Sequence, residues 1–229
     1  MAQLFVDAGK ITRARELARS AAQGVHSFID RHSTVSIERT VLRLLGISGS
    51  LRRDSHNTRL LRAAAQVLPA SAELEVFDGL KEVPPYDEDD DVDPVPAAAQ
   101  RLRDAIADAD AILIATPEYN SSLPGQLKNA LDWASRPFPD NALRNKPVAV
   151  IGASTGMFGA VWAQAEARKV LGATGARVVD VELPVPHAEA AFAGDRLADA
   201  ELHEGLSRIV DELIGATRTM TEPTELAAA

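Results

Sequence analysis

Three short and almost uninterrupted apolar runs, Val41 to Ile47, Ala111 to Thr116 and Val148 to Ala153, constrain this chain more than any other feature. A strand with one face in water alternates apolar and polar residues. A run that is apolar throughout must be covered on both faces, which is the pattern of a parallel sheet between two layers of helices. The intervening segments agree. Thr58 to Leu68 has helical periodicity and stops before Pro69, and Val95 to Ala109 reads as a second helix. Pro124 to Ser135 carries proline near its first turn, Ala160 to Leu171 is helical, and Leu197 to Ala216 closes the series. Glu73 to Phe77 alternates as a second strand should, and Arg177 to Leu183 reads as a fifth.

Five strands alternating with helices predict an α/β chain with right-handed crossovers. The expected architecture is a flavodoxin-like three-layer fold with a five-stranded parallel sheet in the order 2-1-3-4-5. In such sheets ligands sit at the carboxyl ends of the strands, beside the point where the strand order reverses. The most polar and glycine-rich turns follow strands one, three and four, so all three are expected to line one crevice. This domain is expected to span 41–218. Before it, apolar positions at Leu17, Ala18, Ala21, Val25, Phe28 and Ile29 recur at helical spacing and predict an N-terminal helical extension over 1–40; residues 219–229 form a C-terminal tail.

Composition narrows the function. A formal charge of -9 over 229 residues disfavours general affinity for nucleic acid or anionic membrane, because neutralising phosphates needs clustered Lys and Arg. Small molecules are the expected partners. With no cysteine, disulfides, thiol nucleophiles and cysteine-ligated metals are excluded, so redox chemistry would rest on a bound organic cofactor or a differently ligated metal. No apolar run approaches bilayer length and no signal-peptide pattern opens the chain, which gives a cytoplasmic expectation. His26, His32, His56, His187 and His203 lack metal-ligand spacing and are expected in solvated or capping roles. The acidic run Asp87 to Asp91 lacks the glycine and terminal glutamate of a calcium loop, so no metal is expected.

The first turn runs Ser48-Gly49-Ser50-Leu51-Arg52-Arg53-Asp54-Ser55-His56-Asn57. It offers a helix N-terminus, the hydroxyls of Ser48, Ser50 and Ser55, the Asn57 amide and the Arg52 guanidinium, a set suited to one phosphate. An ordinary turn whose serine and asparagine only cap the next helix fits the same residues. Neither the Gly-x-Gly-x-x-Gly dinucleotide spacing nor a Walker-type Gly-Lys-Ser is present, so a mononucleotide fits better.

The second turn is more specific. Pro117-Glu118-Tyr119-Asn120 is followed by Pro124-Gly125-Gln126-Leu127-Lys128-Asn129 and by Asp132-Trp133-Ala134-Ser135-Arg136-Pro137. With the Gly49 to Asn57 turn and Ser154-Thr155-Gly156-Met157-Phe158-Gly159 after strand four, this resembles the NADPH-dependent FMN reductase family, which includes chromate and quinone reductases. The resemblance extends over about residues 43–216. It implies that Ser50, Arg52, Ser55 and Asn57 bind the phosphate of FMN. Pro117, Glu118, Tyr119 and Asn120 would run along the isoalloxazine edge, and the turn containing Ser154 and Gly156 would close the other side. It implies NAD(P)H as cosubstrate and ping-pong hydride transfer through FMN to a quinone, azo compound, metal oxyanion or free flavin. No catalytic side chain is needed, and Glu118 reads equally well as a loop acid fixing turn geometry. A homodimer or homotetramer is also implied.

Two residues depart from the family pattern: Asp54 puts an acid inside the phosphate loop, and Ala160 stands where a second glycine is frequent. Trp133 and Leu131, at helical spacing, read as core or interface and not as flavin stackers. The rival function is a flavodoxin-type electron carrier serving a protein partner. Separately, residues 29–46 resemble the N-terminal stretch of the lysine 5,6-aminomutase alpha subunit, without its cofactor machinery, and no aminomutase activity is inferred.

Overall fold

The computed structural model describes residues 41–218. The expected N-terminal extension and C-terminal tail lie outside the described residues. The main strands are β1 (Leu42–Ser48), β2 (Ala72–Val76), β3 (Ala111–Thr116), β4 (Pro147–Ala153) and β5 (Arg177–Val178). They pair in the order β2-β1-β3-β4-β5, all parallel. The helices are α1 (His56–Gln66), α2 (Ala97–Asp108), α3 (Gly125–Ala134), α4 (Val161–Ala173) and α5 (Ala200–Arg218). This is the expected flavodoxin-like fold.

Every residue of β3 and β4 is buried, as their unbroken apolar composition requires. Their alternate side chains serve two cores. Ile112, Ile114, Val148 and Val150 pack with α2, α3 and α4, whereas Leu113, Ala115, Ala149 and Ile151 pack with α1 and α5. Each large side chain removed from water in this way contributes about 1.5–3 kcal/mol. Strand β2 keeps one face exposed, at Glu73 and Glu75, because it is the edge of the sheet.

The fifth strand departs from the single run Arg177 to Leu183 that the sequence predicts. Arg177 and Val178 pair with Pro147 and Val148; the chain then leaves the ladder and returns as β6 (Pro184–Val185) beside Gly152 and Ala153. Five residues lie between these registers on this strand against three on β4, so a continuous ladder is geometrically impossible. Within the detour the Leu183 N–H is taken by the side-chain oxygen of Gln164 at 3.1 Å, which spares it an unmet hydrogen bond. Leu197 is likewise not in the last helix. It belongs to a hairpin of β7 (Phe192–Ala193) and β8 (Arg196–Leu197), and Asp199 caps α5 by accepting the Leu202 N–H at 3.0 Å.

The residues of the Pro124 to Pro137 motif largely hold the chain together. Gln126 donates to the carbonyls of Leu80 and Val83, both at 2.8 Å, and Asn129 and the Trp133 indole both donate to Pro84 O, at 2.8 and 2.9 Å. Trp133 is fully buried with Tyr86 edge-on at 5.0 Å, which places it in the core. The acidic loop is anchored rather than merely solvated. Asp91 accepts from Arg103 at 2.7 Å, and Arg103 also donates to Trp133 O at 2.9 Å.

Candidate functional site

The turns after β1, β3 and β4 converge on a cavity of about 220 Å³. Eight of the ten expected site residues line it: Ser50, Arg52, Ser55, Asn57, Pro117, Glu118, Tyr119 and Ser154. Asn120 and Gly156 do not. Asn120 is the exposed tip of a tight turn, with positive φ of 52° there and 59° at Ser121, and Tyr119 and Ser122 exchange backbone hydrogen bonds at 3.1 Å across it. Two successive positive φ values define a type I′ hairpin turn, which asparagine tolerates at little cost. The Gly156 carbonyl instead accepts the His187 N–H at 3.1 Å. Four further residues complete the wall, His56, Ala153, Thr155 and Glu189.

The first turn is brought close to the second by Gly49, where a Cβ would lie 2.9 Å from Leu127 and 3.3 Å from Pro117. Ser55 caps α1, its hydroxyl accepting the N–H groups of Asn57 and Thr58 at 3.1 and 3.2 Å. Ser48 accepts from the Thr58 hydroxyl at 3.0 Å. Asn57, which lines the cavity, also ties two elements together. Its buried amide both donates to Ala153 O and accepts from Ala153 N–H, each at 3.0 Å, and so fastens the start of α1 to the end of β4. Ser50, the exposed Arg52 and the Ser55 hydroxyl, which only accepts in its cap, are the groups of this turn left toward the cavity.

Glu118 lines the cavity but its carboxylate caps α4, accepting the Trp162 and Ala163 N–H groups at 3.0 and 3.1 Å. That cap comes from another turn because the residue at the helix entry, Ala160, has no polar side chain and sits in the left-handed region at φ 63°. Ala160 thus occupies a conformation that suits glycine better, the physical content of its departure from the family pattern. Neighbouring Gly159, at φ 59°, is required outright, since a Cβ there would stand 2.5 Å from Val185 N. Glu166 of α4 returns the link by accepting from the Ser122 hydroxyl at 2.5 Å and from Leu123 N–H at 3.2 Å; these bonds hold its carboxyl below the usual glutamate range.

Arg52, His56 and the carboxylates of Glu118 and Glu189 are charged and titratable groups of the cavity wall. Burial first, then the nearby charges of Arg52 and Arg59, lower the His56 pKa from its ordinary value. His56 is therefore not the solvated or capping histidine expected, but a wall residue with its ring parallel to Phe192 at 6.3 Å. Asp54 is exposed and is not among the residues lining this cavity, which removes the like-charge cost its position raises. Tyr119 of the cavity wall is exposed, as are Met157, Phe158 and Trp162 further along the chain, Phe158 and Trp162 meeting edge to face at 4.8 Å. A larger cavity of about 300 Å³ between α2 and strands β1 and β2 is lined by Arg43, Glu73, Glu75 and Asp108 and carries none of the three motifs. Among the described residues no group of three or more His, Asp or Glu is placed to hold a metal ion, and no helix is long and apolar enough to cross a membrane.

Three polar strand-end turns that meet in one cavity at the switch point of a 2-1-3-4-5 sheet, one of them at a helix start, define a protein of the flavodoxin class. The chain belongs to the NADPH-dependent FMN reductase family, whose model matches residues 42–190. It is 46% identical over 130 residues to an NAD(P)H-dependent FMN reductase of Pseudomonas aeruginosa, covering 57% of this chain and 69% of the relative. A 2-hydroxy-1,4-benzoquinone reductase of Burkholderia sp is also 46% identical, over 129 residues, 56% of this chain and 69% of that one. Among solved structures, the flavoenzyme NAD(P)H:(acceptor) oxidoreductase FerB from Paracoccus denitrificans superposes with a TM-score of 0.69 at 34% identity, covering 78% of this chain and 98% of its own. A second model, the TIM-barrel domain of the D-lysine 5,6-aminomutase alpha subunit, matches residues 4–76. The described part of that stretch forms β1, α1 and β2 of the sheet above.

Proposed function

We propose that Ser50, Arg52, Ser55 and the start of α1 hold the phosphate of FMN, while Pro117 to Asn120 and Ser154 to Gly156 flank its ring. The protein is an NAD(P)H-dependent oxidoreductase with FMN as cofactor and NAD(P)H as cosubstrate. The observation that carries the placement is the convergence of the three turns on one cavity whose single lining arginine, Arg52, stands beside Ser50 and a helix start. When bound, FMN supplies the hydride-accepting and electron-returning chemistry, so the chain needs no nucleophile of its own. The residues then have three tasks. Arg52 and Ser50 neutralise and orient the phosphate; Asn57 and Glu118 hold the three turns in register; the backbone of the second turn stabilises charge on the reduced ring.

The acceptor reading is a quinone, azo compound, metal oxyanion or free flavin, with a quinone favoured by the exposed apolar Met157 and Phe158 of the third turn and by the names of relatives. The electron-carrier alternative is not favoured, because those relatives are reductases. Exposed apolar side chains in one neighbourhood also support a homo-oligomer, and dependence on an intracellular reductant supports a cytoplasmic location. An absorbance spectrum of the purified protein, followed by anaerobic titration with NADH and with NADPH, tests cofactor and reaction together. A full flavin spectrum without bleaching by either donor would sink the reductase reading. Light scattering tests the oligomer, which a monomer mass would exclude.

A further inference from the structure

Next to the flavin cavity lies a second one of about 440 Å³, and the two share Arg52, Ser55 and His56 as wall. Its charge runs against that of the chain. Four arginines, Arg52, Arg53, Arg59 and Arg62, face two carboxylates, Asp54 and Asp195, in a protein of formal charge -9. The carboxylates do not consume the surplus. Asp195 reaches Arg59 and Arg62 only at 3.9 Å in each case, the outer edge of an ion pair, and the Arg62 side chain is 57% exposed. Arg59 is held in place by donating to Gly194 O at 2.5 Å and by lying 4.9 Å over the Phe192 ring, so its charge is fixed without being neutralised. At the seam between the cavities, the buried Nδ1 of His56 has no hydrogen-bond partner. A buried ring nitrogen left unpaired carries a desolvation cost.

Guanidinium groups clustered without matching acids are the chemistry that recognises phosphate, bidentately and with charge assistance. Since the two cavities share Arg52, Ser55 and His56, a molecule engaged at the first lies within reach of the second. We propose that this cleft is a second phosphate site, taking the phosphorylated adenosine half of a dinucleotide engaged at the flavin cavity. The inference rests on the flavin reading above. Two molecules carry that chemistry: NADPH through its 2′-phosphate, and FAD through its diphosphate.

The test uses the full chain and its double variants Arg53→Gln/Arg62→Gln and Arg53→Lys/Arg62→Lys, neither residue lining the flavin cavity. FMN and FAD affinities of the flavin-free protein are read from flavin fluorescence, and the flavin-loaded protein is titrated calorimetrically with 2′,5′-ADP and with 5′-AMP. If NADPH is the source, 2′,5′-ADP binds at least about tenfold tighter than 5′-AMP; the glutamine variant loses that preference, the lysine variant keeps most of it, and FMN affinity is unchanged. If FAD is the source, it binds at least as tightly as FMN, and the glutamine variant weakens FAD alone by about tenfold. The proposal is overturned if neither ligand shows a phosphate-dependent preference, or if the preference survives in the glutamine variant. Failure of FMN itself to bind would overturn the flavin reading and this assignment together, whereas normal FMN binding with no such preference would remove the cleft alone.

Discussion

In the turn after β1, Ser50 and Arg52 remain available to the cavity, whereas in the turn after β3 the acidic side chain of Glu118 is turned to α4 and Ser122 donates to Glu166. The same contrast exists inside the first turn, where the Asn57 amide both donates to and accepts from Ala153. Residue type does not separate the two groups. A side chain stays available to the cavity where neighbouring groups leave part of its hydrogen-bonding capacity unused, as at Arg52 and Ser50, and an asparagine or glutamate becomes a brace where the end of a strand or the bare start of a helix lies within reach.

Asn57→Ala attacks the brace and is expected to have the largest effect. It orphans the buried N–H and C=O of Ala153, at about 1–3 kcal/mol for each unmet group, and should lower the urea midpoint and flavin affinity together. A variant of normal stability that merely binds FMN less well would make Asn57 a ligand after all. Arg52→Ala attacks the ligand side of the comparison. It should weaken FMN binding by about tenfold or more at unchanged urea midpoint, read by fluorescence titration, since one charge-assisted contact is lost from an exposed loop. Unchanged FMN affinity would refute the placement of the phosphate.

Glu118→Ala should cost about 1 kcal/mol by uncapping α4, with donor oxidation rates slower by only a few-fold. Loss of turnover by orders of magnitude in a folded, FMN-loaded variant would show that this carboxylate acts in the chemistry. The smallest effect concerns His56. Because its folded pKa lies below its ordinary value of 6.5, it contributes stability above that pH, and the contribution is lost as pH falls through the lowered pKa. Urea midpoints between about pH 7 and pH 5 should therefore decline less steeply in His56→Gln than in the parent. Parallel declines would mean that His56 does not titrate differently on folding. Finally, if residues 1–38 are an appendage, their deletion should leave FMN affinity unaltered.

Much of this was legible before any coordinates. The apolar runs of β1, β3 and β4 announce a sheet buried on both faces, and the local chemistry of Ser55, as hydroxyl before a helical period, announces a cap. Sequence patterns of this kind carry information wherever the deciding interaction is between near neighbours in the chain, or between a residue and water. The division of strand five was not legible, because Val178, Val179 and Val181 suit an extended strand equally well whether or not their register matches β4. Glu189, remote from every motif, reached the cavity only through the path of the chain after β6. The roles of Asn57 and Glu118 were also beyond the sequence. Their partners, Ala153 and the first N–H groups of α4, are 96 and about 45 residues away, and only the folded sheet brings them within hydrogen-bond distance. The sequence by itself thus determined the layers, the strand-end turns and the set of groups able to meet a phosphate. Tertiary structure decided which of those groups were already satisfied by the protein, because hydrogen-bond saturation depends on who is nearby in space.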